Sequence, residues 1–423
     1  MSLLQSYIRK KQCRPSIKAE PHKDLGYIVV IPVYHEPEFT HTLDSLAAAT
    51  PPEKKVEVIP VFNAGRESSQ HVISQNRKTF HETLQWHQNN RPFFNLHPII
   101  LENIAPRDMG VGYARKAGMD EAILRFDFVV NEKGVILSLD ADTLCQSNYF
   151  VEIEKAFRQD PKLNGGTLHF EHPVGGDKFN SSIYEAVQMY ELFLRYYKRA
   201  LIYSAFPYAF HTIGSAFFVK ASAYAKQGGM NRKKAGEDFY FLNKVFQLGH
   251  IKEIFSTTVF PSPRPSERVL FGTGPEVKKH STSTSDEYLT YHTNVFRDLR
   301  LFFTQTEELF HMKTPDIGSL QKPLPEYLTE FLKENKANLH LERIKNNAAS
   351  CKTFRKQFFH WFDGLKIIRS VHRAHEHEYK KIPLQKAAME MLKLSSNITT
   401  HPVGHKQLLD QYIKLERANP VVI

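Results

Sequence analysis

Apolar runs of strand length alternate with stretches of helical periodicity through the first third of the chain. Residues 27–33 (YIVVIPV) are an apolar run, and 39–49 read as a short helix. A second strand pattern, 56–62 (VEVIPVF), precedes a polar helix over 69–86. Residues 97–101 read as a third strand, 110–126 as a helix, and 134–139 as a fourth strand leading to a helix over 149–157. This alternation predicts an α/β fold, with a parallel sheet covered by helices on both faces. Ligands of such sheets sit at the carboxyl ends of strands. The polar segments fall there: PVYHE at 32–36, NAG at 63–65 and DAD at 140–142.

From residue 281 the pattern changes. The run STSTS at 281–285 reads as a linker, and helices are expected around 287–312, 325–346, 352–377, 384–394 and 404–417. Pro315, Pro323, Pro325, Pro383 and Pro402 punctuate them. The expected organisation is a basic segment at 1–25, an α/β domain at 26–280 and a mostly helical region at 281–423. No catalytic motif stands in the last of these.

With 423 residues and 41% hydrophobic content, the chain sustains a core and is not a disordered protein. Cys13, Cys145 and Cys351 are far apart and form no CxxC pair, which excludes a disulfide framework and suggests a reducing compartment. The net charge of +11 is concentrated at the ends, +5 over 1–23 and +7 over 351–423. A nearly neutral middle argues against nucleic acid as a partner. Basic ends suit peripheral contact with an anionic membrane, or are solvated helix faces. The basic, aromatic segment 352–381 either lies on such a membrane or packs in a bundle.

No cleavable signal is expected, because the apolar start turns basic at once. Residues 200–219 carry no Asp, Glu, Lys or Arg over about a bilayer-spanning length, yet Pro207, His211, Thr212 and Gly214 interrupt them. They read as buried strand and loop. The expected location is cytoplasmic, peripheral at the inner face of the membrane.

Asp140 and Asp142 alternate along an extended segment, so both side chains can share a face. Two such carboxylates suit Mg2+ or Mn2+, which leaves coordination positions for phosphate oxygens. Taken alone, the pair reads first as a strand end that caps the following helix.

Six pieces in order change the weight of that pair: VVIPVYHEP at 29–37, NAG at 63–65, GVGYARKAGMD at 110–120, DAD at 140–142, GSAFFV at 214–219 and GED at 236–238. Together they resemble family-2 glycosyltransferases over residues 26–280. The resemblance implies a three-layer Rossmann-like nucleotide-diphosphosugar transferase domain with a mostly helical C-terminal extension. It implies inverting transfer, dependent on Mn2+ or Mg2+, from a nucleotide-diphosphosugar donor to a saccharide or lipid-linked acceptor in glycan or glycolipid assembly. In its terms Pro32, Tyr34, Glu36 and Asn63 contact base and ribose, and Arg115, Arg264 and Arg268 meet the diphosphate. Asp140 and Asp142 hold the metal, Asp140 also touching the ribose, with His280 completing the sphere. His211, Gly214 and Ser215 face the acceptor. Asp238 is the general base and Glu237 positions the acceptor, or the two exchange roles.

Each residue also has a plainer reading. Glu237 and Asp238 are ordinary dipole partners in a first helical turn, Arg115 an exposed helix arginine beside an acid, and 260–275 a surface loop. His211 and the aromatic residues over 184–208 also read as core, and His280 as exposed. The chain departs from the family pattern at Phe62-Asn63-Ala64, where relatives commonly have Val-Asp-Asp, leaving the nucleotide open. It lacks the Arg-X-X-Arg-Trp string of processive members. Two further functions remain: a sugar-nucleotide nucleotidyltransferase, whose Gly-rich, Lys-bearing loop is missing after 27–33, and a non-catalytic membrane-surface scaffold on a transferase fold.

Overall fold

Valine and isoleucine dominate the first strand, and every residue of it is buried. The computed structural model describes residues 1–423 apart from 267–271, 283–286, 397–401 and 403. It divides into two compact units: Met1–Val187 with Thr212–Ser281 and Pro420–Ile423, and Gln188–His211 with Thr282–Asn419.

The first unit is α/β, as expected. Its sheet comprises β1 (Leu25–Val33), β2 (Lys55–Gly65), β3 (Asn95–Leu96), β4 (Ile99–Ile104), β5 (Val135–Ser138), β6 (Thr143–Cys145), β7 (Gly165–Phe170), β8 (Phe217–Lys220) and β9 (Ile251–Pro261). The strand order is β3-β2-β1-β5-β8-β7-β9-β6, with β4 also paired to β2. β1 runs parallel to β2 and β5, and β7 to β9. β8 is antiparallel to both β5 and β7, and β6 to β9. The sheet is therefore mixed, which corrects the all-parallel expectation. The crossovers legible in the sequence are those before β5, where helices separate parallel strands; the antiparallel insertion of β8 carries no such periodicity.

The helices are α1 (Leu3–Lys11), α2 (Phe39–Ala47), α3 (Gln70–Asn90), α4 (Val111–Phe128), α5 (Tyr149–Gln159), α6 (Ser181–Tyr203), α7 (Ala221–Lys226), α8 (Glu237–Phe246) and α9 (Thr273–Ser281). Strands β5, β7 and β8, like β1, are buried at every position, so both faces of the sheet are covered. α4 lies unusually close. A Cβ built on Gly118 would stand 2.5 Å from Val30 Cγ1, so only glycine lets the helix backbone settle on β1.

Register places the strand ends. The ladder pairs Val30 with Ser138 and Val33 with Phe62, so β1, β2 and β5 deliver 34–36, Asn63 and Asp140 to one edge. Phe217 pairs with Ser138 across an antiparallel step, which brings Gly214 and Ser215 to the same edge. Thr143 opposite Pro261 sets Asp142 beside the chain that leaves β9.

The second unit contains the part of α6 from Gln188 onward and α10 (Thr293–Thr304), α11 (Thr306–His311), α12 (Glu326–Glu334), α13 (Ala337–Asn346), α14 (Cys351–Trp361), α15 (Gly364–His377), α16 (Leu384–Ser395) and α17 (Gly404–Ala418), with a short antiparallel pair, β10 (Leu289–Thr290) and β11 (Ile382–Pro383). Phe302, Phe303, Phe354, Phe358, Phe359 and Phe362 are all buried, which settles the alternatives for 352–381 in favour of a packed bundle. Tyr197 and Phe193 of α6, both half-buried, stack with ring centroids 6.4 Å apart. Among the described residues, no helix is long and apolar enough to cross a membrane; residues 200–219 form the last turn of α6, a loop and β8.

Candidate active site

A fully buried arginine organises the sheet edge. Arg115, in the second turn of α4, is 2% exposed and gives its donors inward. Its Nε donates to Glu237 Oε1 at 3.1 Å, one Nη to Ser138 Oγ at 2.5 Å and Gly214 O at 3.0 Å, and the other Nη to Asp140 Oδ1 at 2.9 Å. Ser138 Oγ in turn donates to Gly214 O at 2.7 Å. One side chain thus ties the ends of β5 and α8 to the segment before β8. The resemblance implied a fork meeting the diphosphate and the plainer reading an exposed helix arginine; the guanidinium is enclosed, because α4 packs its second turn against the sheet.

Gly236, at φ 68°, caps α8 without a side-chain hydrogen bond, and Glu237 and Asp238 occupy the first turn. Asp238 Oδ1 accepts from Phe239 N at 2.7 Å. Burial dominates its titration: the Asp238 carboxyl is pushed up to about 7, by desolvation first and by the neighbouring Glu237 second, against the opposing pull of Arg115. Burial likewise raises Glu237 above the usual carboxylate range although Arg115 opposes it. Helix-dipole stabilisation of the ionised forms is outweighed here.

Gly214 shows how tightly this cluster is assembled. A Cβ at that position would lie 2.5 Å from Arg115 Nη2 and 3.3 Å from Asp238 Oδ2. Gly214→Ala is expected to cost about 1–3 kcal/mol in urea unfolding, the usual range for overpacking. An unchanged unfolding midpoint would show that the arginine yields freely.

The second half of the edge is built on turns. His35 adopts φ 51°, its N–H donating to Asn76 Oδ1 at 2.8 Å, and Asn76 Nδ2 donates to Asn63 O at 3.0 Å. α3 thereby clamps the turns after β1 and β2 together. Thr79 Oγ1 donates to Glu36 O at 3.2 Å. Asn63 is 1% exposed and its Oδ1 has no hydrogen-bond partner among the described residues. Ser215 Oγ is in the same condition. Buried acceptors left in this way are costly, and a ligand's N–H or O–H would satisfy them. Pro32 is buried in β1 beyond its pairing with β5, where a missing N–H leaves no ladder bond unmade, and Tyr34 is half-buried in the turn.

Arg264, just past β9, forms a two-pronged pair with the carboxylate of buried Glu36, one Nη to Oε1 at 3.0 Å, and reaches Asp142 Oδ2 at 3.3 Å. The residues expected to meet base, diphosphate and metal are thus brought together, bonded to one another. Arg268 lies outside the described residues. His280 is in α9, its Nε2 3.5 Å from Glu276 Oε2, and among the described residues no group of three His, Cys, Asp or Glu side chains is placed to hold a metal ion. His211 belongs to the second unit. There its Nε2 sits 3.0 Å from Glu416 Oε1 in a buried cluster with Arg195, Glu191 and Lys198, and burial pushes the imidazole down to about 4.

Ser138 and Asn76 were missed by sequence reading. Ser138 left a trace as the polar residue inside the apolar run of β5, whereas Asn76 on the polar face of α3 left none.

No protein-family model matches the chain, and no curated protein matches it. Among solved structures it is similar to S. aureus TarS 1-349, at 15% identity over 79% of this chain and 91% of that chain, with a TM-score of 0.39. The same TarS fragment in complex with UDP-GlcNAc matches at 14% identity over 93% and 91%, with a TM-score of 0.40. The mannosyltransferase PcManGT from Pyrobaculum calidifontis, in complex with GDP-Man and Mn2+, matches at 13% identity over 99% and 94%, with a TM-score of 0.35.

Proposed function

We propose that the chain is an inverting, non-processive glycosyltransferase of the family-2 type, moving a sugar from a nucleotide-diphosphosugar to an acceptor hydroxyl. The observation that carries this reading is Asp238. A carboxyl raised to about 7 beside a buried arginine, at the strand edge that also bears Asp140 and Asp142, is poised as a general base at neutral pH. In this reading the acceptor O–H gives its proton to Asp238 as its oxygen bonds the anomeric carbon from the face opposite the leaving group. The bond from that carbon to the diphosphate breaks, the electron pair leaving with the diphosphate. Glu237, held by Arg115, fixes the first turn of α8 and the acceptor. Asn63 Oδ1 receives an N–H from the base, and Ser215 Oγ bonds an acceptor or donor hydroxyl.

The donor set fits a divalent metal. Asp140 and Asp142 offer partly exposed carboxylates, 37% and 31%. Mg2+ or Mn2+ is commonly held by one or two carboxylates, the remaining positions going to water and substrate phosphates. When bound, the ion supplies Lewis-acid stabilisation to the leaving diphosphate. Arg264 meets the same charge, having neutralised Glu36 and Asp142 beforehand.

The reading is tested by calorimetric titration of the whole chain with UDP, GDP, ADP and CDP, with and without Mn2+. At least one is expected to bind, more tightly with the metal, and Asp142→Asn is expected to weaken the metal-dependent binding about tenfold or more. Failure of every nucleotide to bind removes the transferase reading.

A further inference from the structure

Phe354, Phe358, Phe359, Phe362 and Ile367 of 352–381 are core, so the membrane contact suggested by charge is sought elsewhere. Leu3, Phe128 and Val130 are 39%, 60% and 88% exposed. Ser2 Oγ donates to Asp127 Oδ1 at 3.2 Å and Leu3 N to Glu132 Oε1 at 2.9 Å, so the start of α1 is fixed against the turn that ends α4. The three side chains share one corner of the first unit.

Val130 is the telling member. α4 closes in a Schellman turn, with Val130 N donating to Asp127 O at 3.0 Å and Asn131 N to Phe126 O at 2.8 Å. The residue at this left-handed position, φ 54° here, is ordinarily Gly or Asn. A β-branched residue is strained there. With its side chain almost wholly in solvent, no packing among the described residues offsets that strain. Beside it stand exposed cations: Lys133 next to the turn, and Arg9, Lys10 and Lys11 in the last turn of α1, about 10 Å along the helix. Arg14, Lys18 and Lys23 follow, all exposed. The nearby acids Asp127 and Glu132 are engaged by α1 itself, and Glu20 is the one acid among residues 1–23.

We propose that this corner docks on an anionic bilayer. Val130, Phe128 and Leu3 enter the boundary between headgroups and acyl chains, and the cations of α1 and its following arm meet the anionic headgroups. Charge complementarity selects this occupant over an apolar protein partner.

The test is flotation of the whole chain with vesicles of phosphatidylcholine alone and with about one third phosphatidylserine, the anionic fraction being large enough to set a surface potential. Binding is expected to the anionic vesicles, falling as salt rises. Arg9→Glu with Lys10→Glu and Lys11→Glu should reduce it by about a hundredfold or more, at roughly one kcal/mol per lost cation. Phe128→Ser with Val130→Asn should reduce it about tenfold or more. Val130→Asn alone is expected to keep or raise the melting temperature, which separates lost docking from lost folding. Absence of flotation at low salt, equal binding to neutral vesicles, or self-association abolished by the same substitutions would overturn the proposal.

Discussion

Asp238→Asn is expected to lower sugar transfer by about a thousandfold, within the range for loss of a general base, while nucleotide binding stays within about twofold. The amide is nearly isosteric and keeps the acceptor oxygen that receives Phe239 N, so the first turn of α8 survives. Wild-type rate should rise with pH through about 7, as the carboxyl loses its proton, and level above it. Stability moves the other way. The folded carboxyl titrates near 7 against an ordinary 3.8, so the folded chain holds a proton that the unfolded chain has released across that window. The stabilising contribution is complete below about 4 and is lost as pH rises through about 7. Asp238→Asn should therefore melt higher than wild type at pH 8 and show no such gain at pH 4. Rates across pH 5–9 and melting curves at both extremes decide it; an active variant removes Asp238 as the base.

The elements were legible where one physical signal dominated. β1, β2, β5 and α4 are long or strongly patterned, and their limits in the structure fall within a few residues of those read from periodicity. The third strand, expected at 97–101, divides into β3 and β4, because His97 and Pro98 interrupt a run too short to show a break. The return of Gln188–His211 to the second unit left no mark, since a helix continuous in periodicity does not reveal that its packing partners change along its length. In the site, the residues that carry charge were found and the bonds between them were not. Asp140, Glu237 and Arg115 stand out by type and spacing; that Arg115 joins the other two depends on the register of β5 with β8, a long-range fact. Ser138 and Gly214 complete the brace through a hydroxyl, marked only as a polar residue in an apolar run, and a backbone carbonyl, a group every residue possesses.

Arg115 carries the second large effect. Arg115→Met is expected to destabilise the first unit by about 3–5 kcal/mol, because a buried cation is removed while its carboxylate partners stay. Arg115→Lys will not restore function. One ammonium cannot reproduce a planar fork that reaches Glu237, Ser138, Gly214 and Asp140 at once. The consequence for chemistry follows from the same geometry: the guanidinium holds the Asp238 carboxyl lower than burial alone would leave it, so its loss pushes that carboxyl above 7. At neutral pH less of the base form remains. Arg115→Met should therefore show its rate profile displaced to higher pH, with nucleotide affinity little altered. If Arg115 instead reached the donor diphosphate directly, the same variant would lose nucleotide affinity and keep its pH profile. Unfolding in urea, rate profiles and nucleotide titration on the one variant separate a brace behind the base from a contact to the substrate.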